Sequence, residues 1–263
     1  MKNISLVHAP LLSFYSMDLY RDVVRNWKNV AFGYLLALLA VCWVPQSLLM
    51  HTKFSQFAEE EGAAIADQIP LILIEGGMVS IDAEQPYYII NRENGELFAI
   101  LDTTGEVTDL RDSDAQLLLT QRRLFVRKGA RETQVYELAD VRQFELDSEL
   151  AASWLEIASD WLAIILYPMF VVGSYLFRML QAVVFALLGI VLARFFGAQL
   201  TFVSLMALAA VALTPAIIVS TLLIVAEINV PFQHLIPLAL SLIYLGFAII
   251  ANAEPEESPP PIS

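Results

Sequence analysis

An aspartate closes an apolar run in the stretch "FAILDTTGEV", residues 98–107, and two threonines and a glycine follow it. Aspartic proteases present a similar order, apolar-apolar-Asp-Thr-Gly, in which two opposed carboxylates share a proton. Asp102, Thr103, Thr104 and Gly105 are therefore the first candidates for chemistry. Here a second threonine separates the aspartate from the glycine, and the continuation "EVTDL" lacks small residues. A turn fits these residue types better. Asp and Thr side chains cap backbone N–H groups, and glycine takes the positive φ of a tight corner. A contact role for Asp102 is the alternative to the turn reading.

Arg178 is the second candidate, a cation inside an apolar stretch. A charge there costs about 2.5–3.5 kcal/mol on insertion scales and marks function by default. Glu227, Asp160 and His234 are expected near the same level, so Arg178, Glu227, Asp160 and His234 form a candidate polar cluster. It would brace a helical bundle or hold a polar ligand; the competing reading has Arg178 reaching to headgroups along its own stem. The histidines His8, His51 and His234 share no ligand spacing, and the single cysteine, Cys42, lies in an apolar segment. No phosphate loop, nucleophile elbow or metal spacing occurs. No catalytic, cofactor-binding or metal residue is assigned, and the protein is expected not to be an enzyme.

The elements that must position these groups divide by composition. Of 263 residues, 57% are hydrophobic, with mean hydropathy +0.62, above the usual ~45–50% apolar share of a soluble domain. The excess lies in residues 30–50 and 154–251. Residues 51–153 hold 20 of the 28 acids and 9 of the 15 bases, a local charge of −11. The pattern is that of an integral membrane protein with one water-exposed domain. The acidic balance argues against nucleic acid as a partner.

Residues 30–50 match the ~20 residues that span a bilayer core. They are read as an uncleaved anchor. Lys2, Arg21, Arg25 and Lys28 precede this span and only Lys53 follows it closely, which puts the N-terminus in the cytoplasm and residues 51–153 outside. Residues 154–193 are read as an interfacial segment, broken or kinked at Pro168, followed by a second span. Residues 202–226 and 234–251 give the third and fourth. A five-span arrangement is the alternative. Residues 252–263 read as a disordered cytoplasmic tail. Residues 1–29 contain "SMDLYRDVVRNW", whose Leu19, Val23 and Val24 suit an amphipathic helix on the cytoplasmic leaflet with Trp27 among the headgroups.

Within 51–153, residues 54–68 read as a helix or stalk. The runs "LILI", "MVSI", "YYII", "LFAILD" and "RLFVRK" are separated by Gly76-Gly77, Asn94-Gly95, Thr104-Gly105 and Lys128-Gly129, which is strand-and-turn spacing. "RENGELFAI" predicts a hairpin with Asn-Gly at its tip, and "SDAQLLL" a short helix capped by Ser113 or Asp112. The bases of "QRRLFVRKGAR" are read as a solvated strand edge. The fold class expected is an α+β membrane protein: a helical bundle of about four spans with a small β-rich extracytoplasmic domain inserted after the first.

The segments "SFYSMDLYRDVVRNWKNVAFGYLLAL", "IEGGMVSID…PYYII", "ILDTTGEV" with "LLLTQRRLFVRK", and "LTPAIIVSTL" occur in an order that resembles a bacterial membrane-protein family, domain of unknown function 1189. The resemblance covers nearly the whole chain. It departs where the family's usual aromatic-Lys-Gly before the first span is here "NWKN". It implies a multi-pass protein of the bacterial cell (inner) membrane with an external β-rich insert, and it implies no catalytic residue. Some Gram-positive relatives are described as maltodextrin-utilisation proteins, which names no mechanism for this chain. The function expected is a non-enzymatic accessory or scaffold component whose outer domain contacts a partner. The alternative is an oligomeric small-solute or lipid transporter. Membrane lipid and a membrane-protein partner or second copy are the partners implied; no cofactor is.

Overall fold

The computed structural model describes residues 5–129, 132–232 and 235–253. The chain forms two compact units, one of residues 1–49 with 164–263 and one of residues 50–163.

The first unit is helical. It holds α1 (Ala9–Leu12), α2 (Met17–Asn26), most of α3 (Val30–Phe57), the later part of α5 (Ser148–Phe195), α6 (Phe202–Ala212), α7 (Thr214–Val225) and α8 (Leu235–Ile250). Helix α2 starts where the Ser16 side chain accepts from the Leu19 N–H, and Asp18 and Arg25 sit at the ends that suit the helix dipole. Leu19, Tyr20, Val23 and Trp27 are buried in the core of the unit. The Tyr20 hydroxyl donates to Ser13 O at 2.7 Å, and its ring meets Phe247 edge-on. The apolar face expected on a leaflet is therefore taken up by the protein itself, because an aromatic and two aliphatic side chains on one stripe are better covered by packed helices. Helix α6 is buried nearly all round through Leu205 and the small residues from Ala207 onward. A Cβ added at Gly189 of α5 would lie 3.1 Å from Leu205 Cδ2, so the glycine sets how closely that pair packs.

Helix α5 runs unbroken for 48 residues through Pro168, where a break or kink was expected. Contacts on both sides of the proline hold it: the Tyr167 hydroxyl donates to Ala40 O at 3.0 Å, Phe170 stacks on Trp43, and Trp43 Nε1 donates to Ser174 Oγ at 2.8 Å. Among the described residues, three helical stretches are long and apolar enough to cross a membrane, Val30–Ala66, Ser148–Phe195 and Phe202–Val225, while Leu235–Ile250 is a shorter apolar helix. The tail from residue 254 onward lies outside the described residues.

The second unit is β-rich. A π-helical turn (Ala58–Gly62) and α4 (Ala63–Ala66) lead from α3 into it. Strands β1 (Ile72–Glu75), β2 (Met78–Ile81) and β8 (Gln143–Leu146) form an antiparallel sheet of order β2-β1-β8. Strands β3 (Tyr87–Ile90), β4 (Leu97–Asp102), β5 (Leu117–Thr120), β6 (Arg123–Gly129) and β7 (Glu132–Glu137) form the second, in chain order, with β4 and β5 parallel. Strand β4 is covered on both faces: Ala99 and Leu101 join one cluster with Ile72, Ile74 and Leu119, and Ile100 joins another with Leu110, Ala115 and Leu118. The "SDAQLLL" segment is a loop that runs into strand β5 rather than a helix. Leu118 packs to one side and Leu119 to the other, which suits a strand buried on both faces. Ser113 caps a turn there, its Oγ accepting from the Ala115 N–H at 3.0 Å.

Candidate functional site

Asp102 is the last residue of β4, placed beside Thr120 of β5. It is 0% exposed. One carboxylate oxygen accepts from the Thr104 N–H at 2.8 Å and the Thr104 hydroxyl at 2.6 Å, and the other accepts from the Val107 N–H at 2.6 Å. Gly105 takes φ +90°, which lets the corner close. Burial pushes the carboxyl pKa up, but the hydrogen bonds from Thr104, Val107 and Gly105 outweigh it and hold Asp102 below the ordinary carboxylate range. Thr103 is fixed separately, its N–H and hydroxyl both donating to Gln85 Oε1 at 2.6 and 2.8 Å. This carboxylate is committed to organising the loop it begins.

That loop forms one wall of an open groove of about 1130 Å³ in the β-rich unit. Its apolar part comes from Tyr88, Leu97, Ile100 and Val107, its acidic part from Glu96, Glu106, Asp109, Asp112 and Asp114. Hydrogen bonds from Arg111 hold the half-buried Asp109 carboxyl below its ordinary range. Arg127 of β6 ties the wall down. Its Nε donates to Ala115 O at 2.9 Å, and one terminal nitrogen donates to Leu110 O at 2.7 Å and Ser113 O at 2.5 Å. The basic run around β6 is therefore not a uniform solvated edge: Arg127 turns onto the 110–115 loop and Arg123 pairs with Glu137 at 2.7 Å. Arg131 lies outside the described residues. Replacing Arg127 by alanine releases three backbone carbonyls. Hydrogen exchange across residues 110–116 is expected to accelerate roughly tenfold or more, since a charge-assisted bond contributes about 1.5–3 kcal/mol. Unchanged exchange there would contradict the clamp.

The groove was not among the candidates from sequence. Its signal was the acid density of "EVTDLRDSD", which reads equally as turn and cap residues. Among the described residues, no three His, Cys, Asp or Glu side chains gather as a metal would require.

Of the other candidate residues, Arg178 and Glu227 belong to the helical unit and Asp160 to the β-rich unit. Arg178 donates through Nη1 to Gln181 Oε1 at 2.6 Å, one turn along the same helix, and the guanidinium carbon lies 5.8 Å from the Phe177 ring centre. Glu227 follows α7 with φ 55°, its N–H donating to Ile224 O at 3.1 Å. His234 lies outside the described residues. Elsewhere in the helical unit, the Tyr34 hydroxyl and Thr214 Oγ1 are 3.1 Å apart, and Gln46 Nε2 donates to Thr221 Oγ1 at 3.3 Å.

Comparison with known proteins adds the family. The sequence profile described as protein of unknown function (DUF1189) matches residues 9–249. The chain belongs to the DUF1189 family. It is also similar to an uncharacterized protein of Rickettsia prowazekii (strain Madrid E), 23% identical over 131 residues. That match covers 46% of this chain and 45% of the relative, so the chain spans less than half of that relative's length. No solved structure matches.

Proposed function

We propose that this DUF1189 protein is a non-enzymatic component of the bacterial cell membrane, held by its helical unit and using its β-rich unit as an extracytoplasmic contact module. The groove carries the contact reading: an open surface lined by apolar side chains and by five carboxylates, beside a buried carboxylate already committed to its own turn. Such a surface suits a partner segment of complementary positive charge. The large hydrophobic side chains that α5, α6 and α7 leave exposed, among them Leu176, Leu180, Val203 and Leu222, support the membrane part. The excess of Lys and Arg before α3 supports a cytoplasmic N-terminus.

The test is affinity purification of the tagged chain in mild detergent with native mass, run beside a Glu106→Lys, Asp112→Lys double variant. A stoichiometric partner that the double variant loses is the expected result. A partner retained in the variant would remove the groove from the reading. A homo-oligomer carrying solute and no partner would favour transport over an accessory role.

A further inference from the structure

The chain has four tryptophans, and they fall into two classes. Trp27 and Trp43 lie in or against the core of the helical unit, and both indole N–H groups are bonded, to Asp22 Oδ2 at 3.1 Å and Ser174 Oγ at 2.8 Å. Trp154 and Trp161 are 48% and 55% exposed; Trp154 leans on the Phe144 ring of β8, 5.9 Å between centroids, and leaves about half of its surface open. Ile157 between them is 57% exposed. The spacing of three and four residues puts all three on one stripe of α5, because residues so spaced are neighbours on a helix surface. The opposite side of this stretch faces protein: Ser159 bonds Ser55 at 2.9 Å, and Leu155 lies against Gly62.

Position along the chain says what covers the stripe. Asp160 is the last charge before a stretch, Trp161–Phe177, without any, and the exposed apolar side chains continue through Ile164, Ile165 and Met169. The stripe thus stands where a charged segment meets an apolar one long enough for a bilayer. Indole rings favour that boundary, where the ring is apolar and the N–H finds headgroup oxygens. We infer that Trp154, Ile157 and Trp161 form an interfacial lipid contact, an aromatic belt inserted among headgroups at the start of the α5 apolar run. This rests on the membrane reading proposed above.

Spin labels test it. Cys42→Ser removes the native thiol, and single cysteines are then placed at 154, 157 and 161, with Leu180→Cys and Gln143→Cys as the lipid and water references. The Ile157→Cys chain keeps both indoles, so loss of a tryptophan cannot by itself decide the outcome. Each labelled full-length chain is reconstituted in phosphatidylcholine vesicles, and its relaxation by oxygen and by a water-soluble nickel chelate is compared. The expected oxygen-to-nickel ratios at 154, 157 and 161 are several times that at 143 and below that at 180. Ratios equal to that at 143 would put the stripe in water and overturn the inference. Shielding from both reagents would show a protein cover instead and also overturn it. A nickel-accessible label at 180 would overturn the membrane reading itself, a result distinct from the other two.

Discussion

Asp102→Ala is expected to lower the opening free energy of β4 and β5 by roughly 2–4 kcal/mol, because three donors to one ionised group lose their acceptor together. The Thr104 and Val107 N–H groups and the Thr104 hydroxyl would stay near the protein interior without their partner. Hydrogen exchange of residues 97–120 in the solubilised full-length chain measures this, and a change below about 0.5 kcal/mol would refute the account. Asp102→Asn should cost most of the same amount, since its amide places donors where Val107 also donates. The aspartate adds a pH signature. Its folded pKa is depressed, so its contribution is complete above the ordinary carboxylate range and fades as the pH falls toward the folded value. Protection of β4 should therefore decline with acid in the native chain, and this part of the decline should be absent in Asp102→Asn. A catalytic carboxylate would behave in the opposite way, costing activity on replacement while leaving strand protection intact.

Gly77→Ala is the second large effect. Gly76 and Gly77 form the β1–β2 corner with φ +56° and +78°. A Cβ at Gly77 would lie 2.7 Å from Ala139 Cα and 3.0 Å from Leu138 O, both backbone atoms that cannot rotate aside. The same corner is bonded to the chain before β8, Gly76 N–H to Arg142 O and Gly77 N–H to Val141 O, both at 2.9 Å. The clash therefore strains the contact that brings β8 to the sheet. Backbone strain of this kind and the displaced neighbours together are expected to cost about 3–5 kcal/mol. Gly76→Ala is the control. Nothing lies within 4 Å of its added Cβ, so only the left-handed backbone penalty of about 1–2 kcal/mol remains. Equal exchange protection in the two variants would show that φ alone, and not the approach to Ala139, makes Gly77 necessary.

Much of the local structure was legible because it rests on local physics. The apolar runs "LILI", "MVSI", "YYII" and "LFAILD" are strands β1 to β4, and "RLFVRK" lies in β6, since alternation or a short apolar run is enough to commit a strand where glycines mark the corners. The β3–β4 hairpin forms around Asn94-Gly95, with Gly95 at φ +72°. Strands β7 and β8 were missed. "ETQVYE" and "QFEL" carry little apolar pattern, and each becomes a strand by pairing with an edge that other segments supply, β7 with β6 and β8 with β1.

The sequence by itself determined the amounts and the corners: how much apolar chain there is, where charge concentrates, and which residues could take a positive φ. Tertiary structure decided what each ambiguous side chain faces. The α2 stripe of Leu19, Tyr20 and Val23 has the spacing of a surface helix and is buried, because packed helices were available to cover it. "SDAQLLL" has a helix-like start and pairs in parallel with β4, because a neighbouring strand offers backbone hydrogen bonds on a face already apolar. Arg127, one base among several in its run, became a clamp because the 110–115 loop left its carbonyls within reach. In each case, composition and spacing set the local preference, and the choice depended on partners distant in the chain.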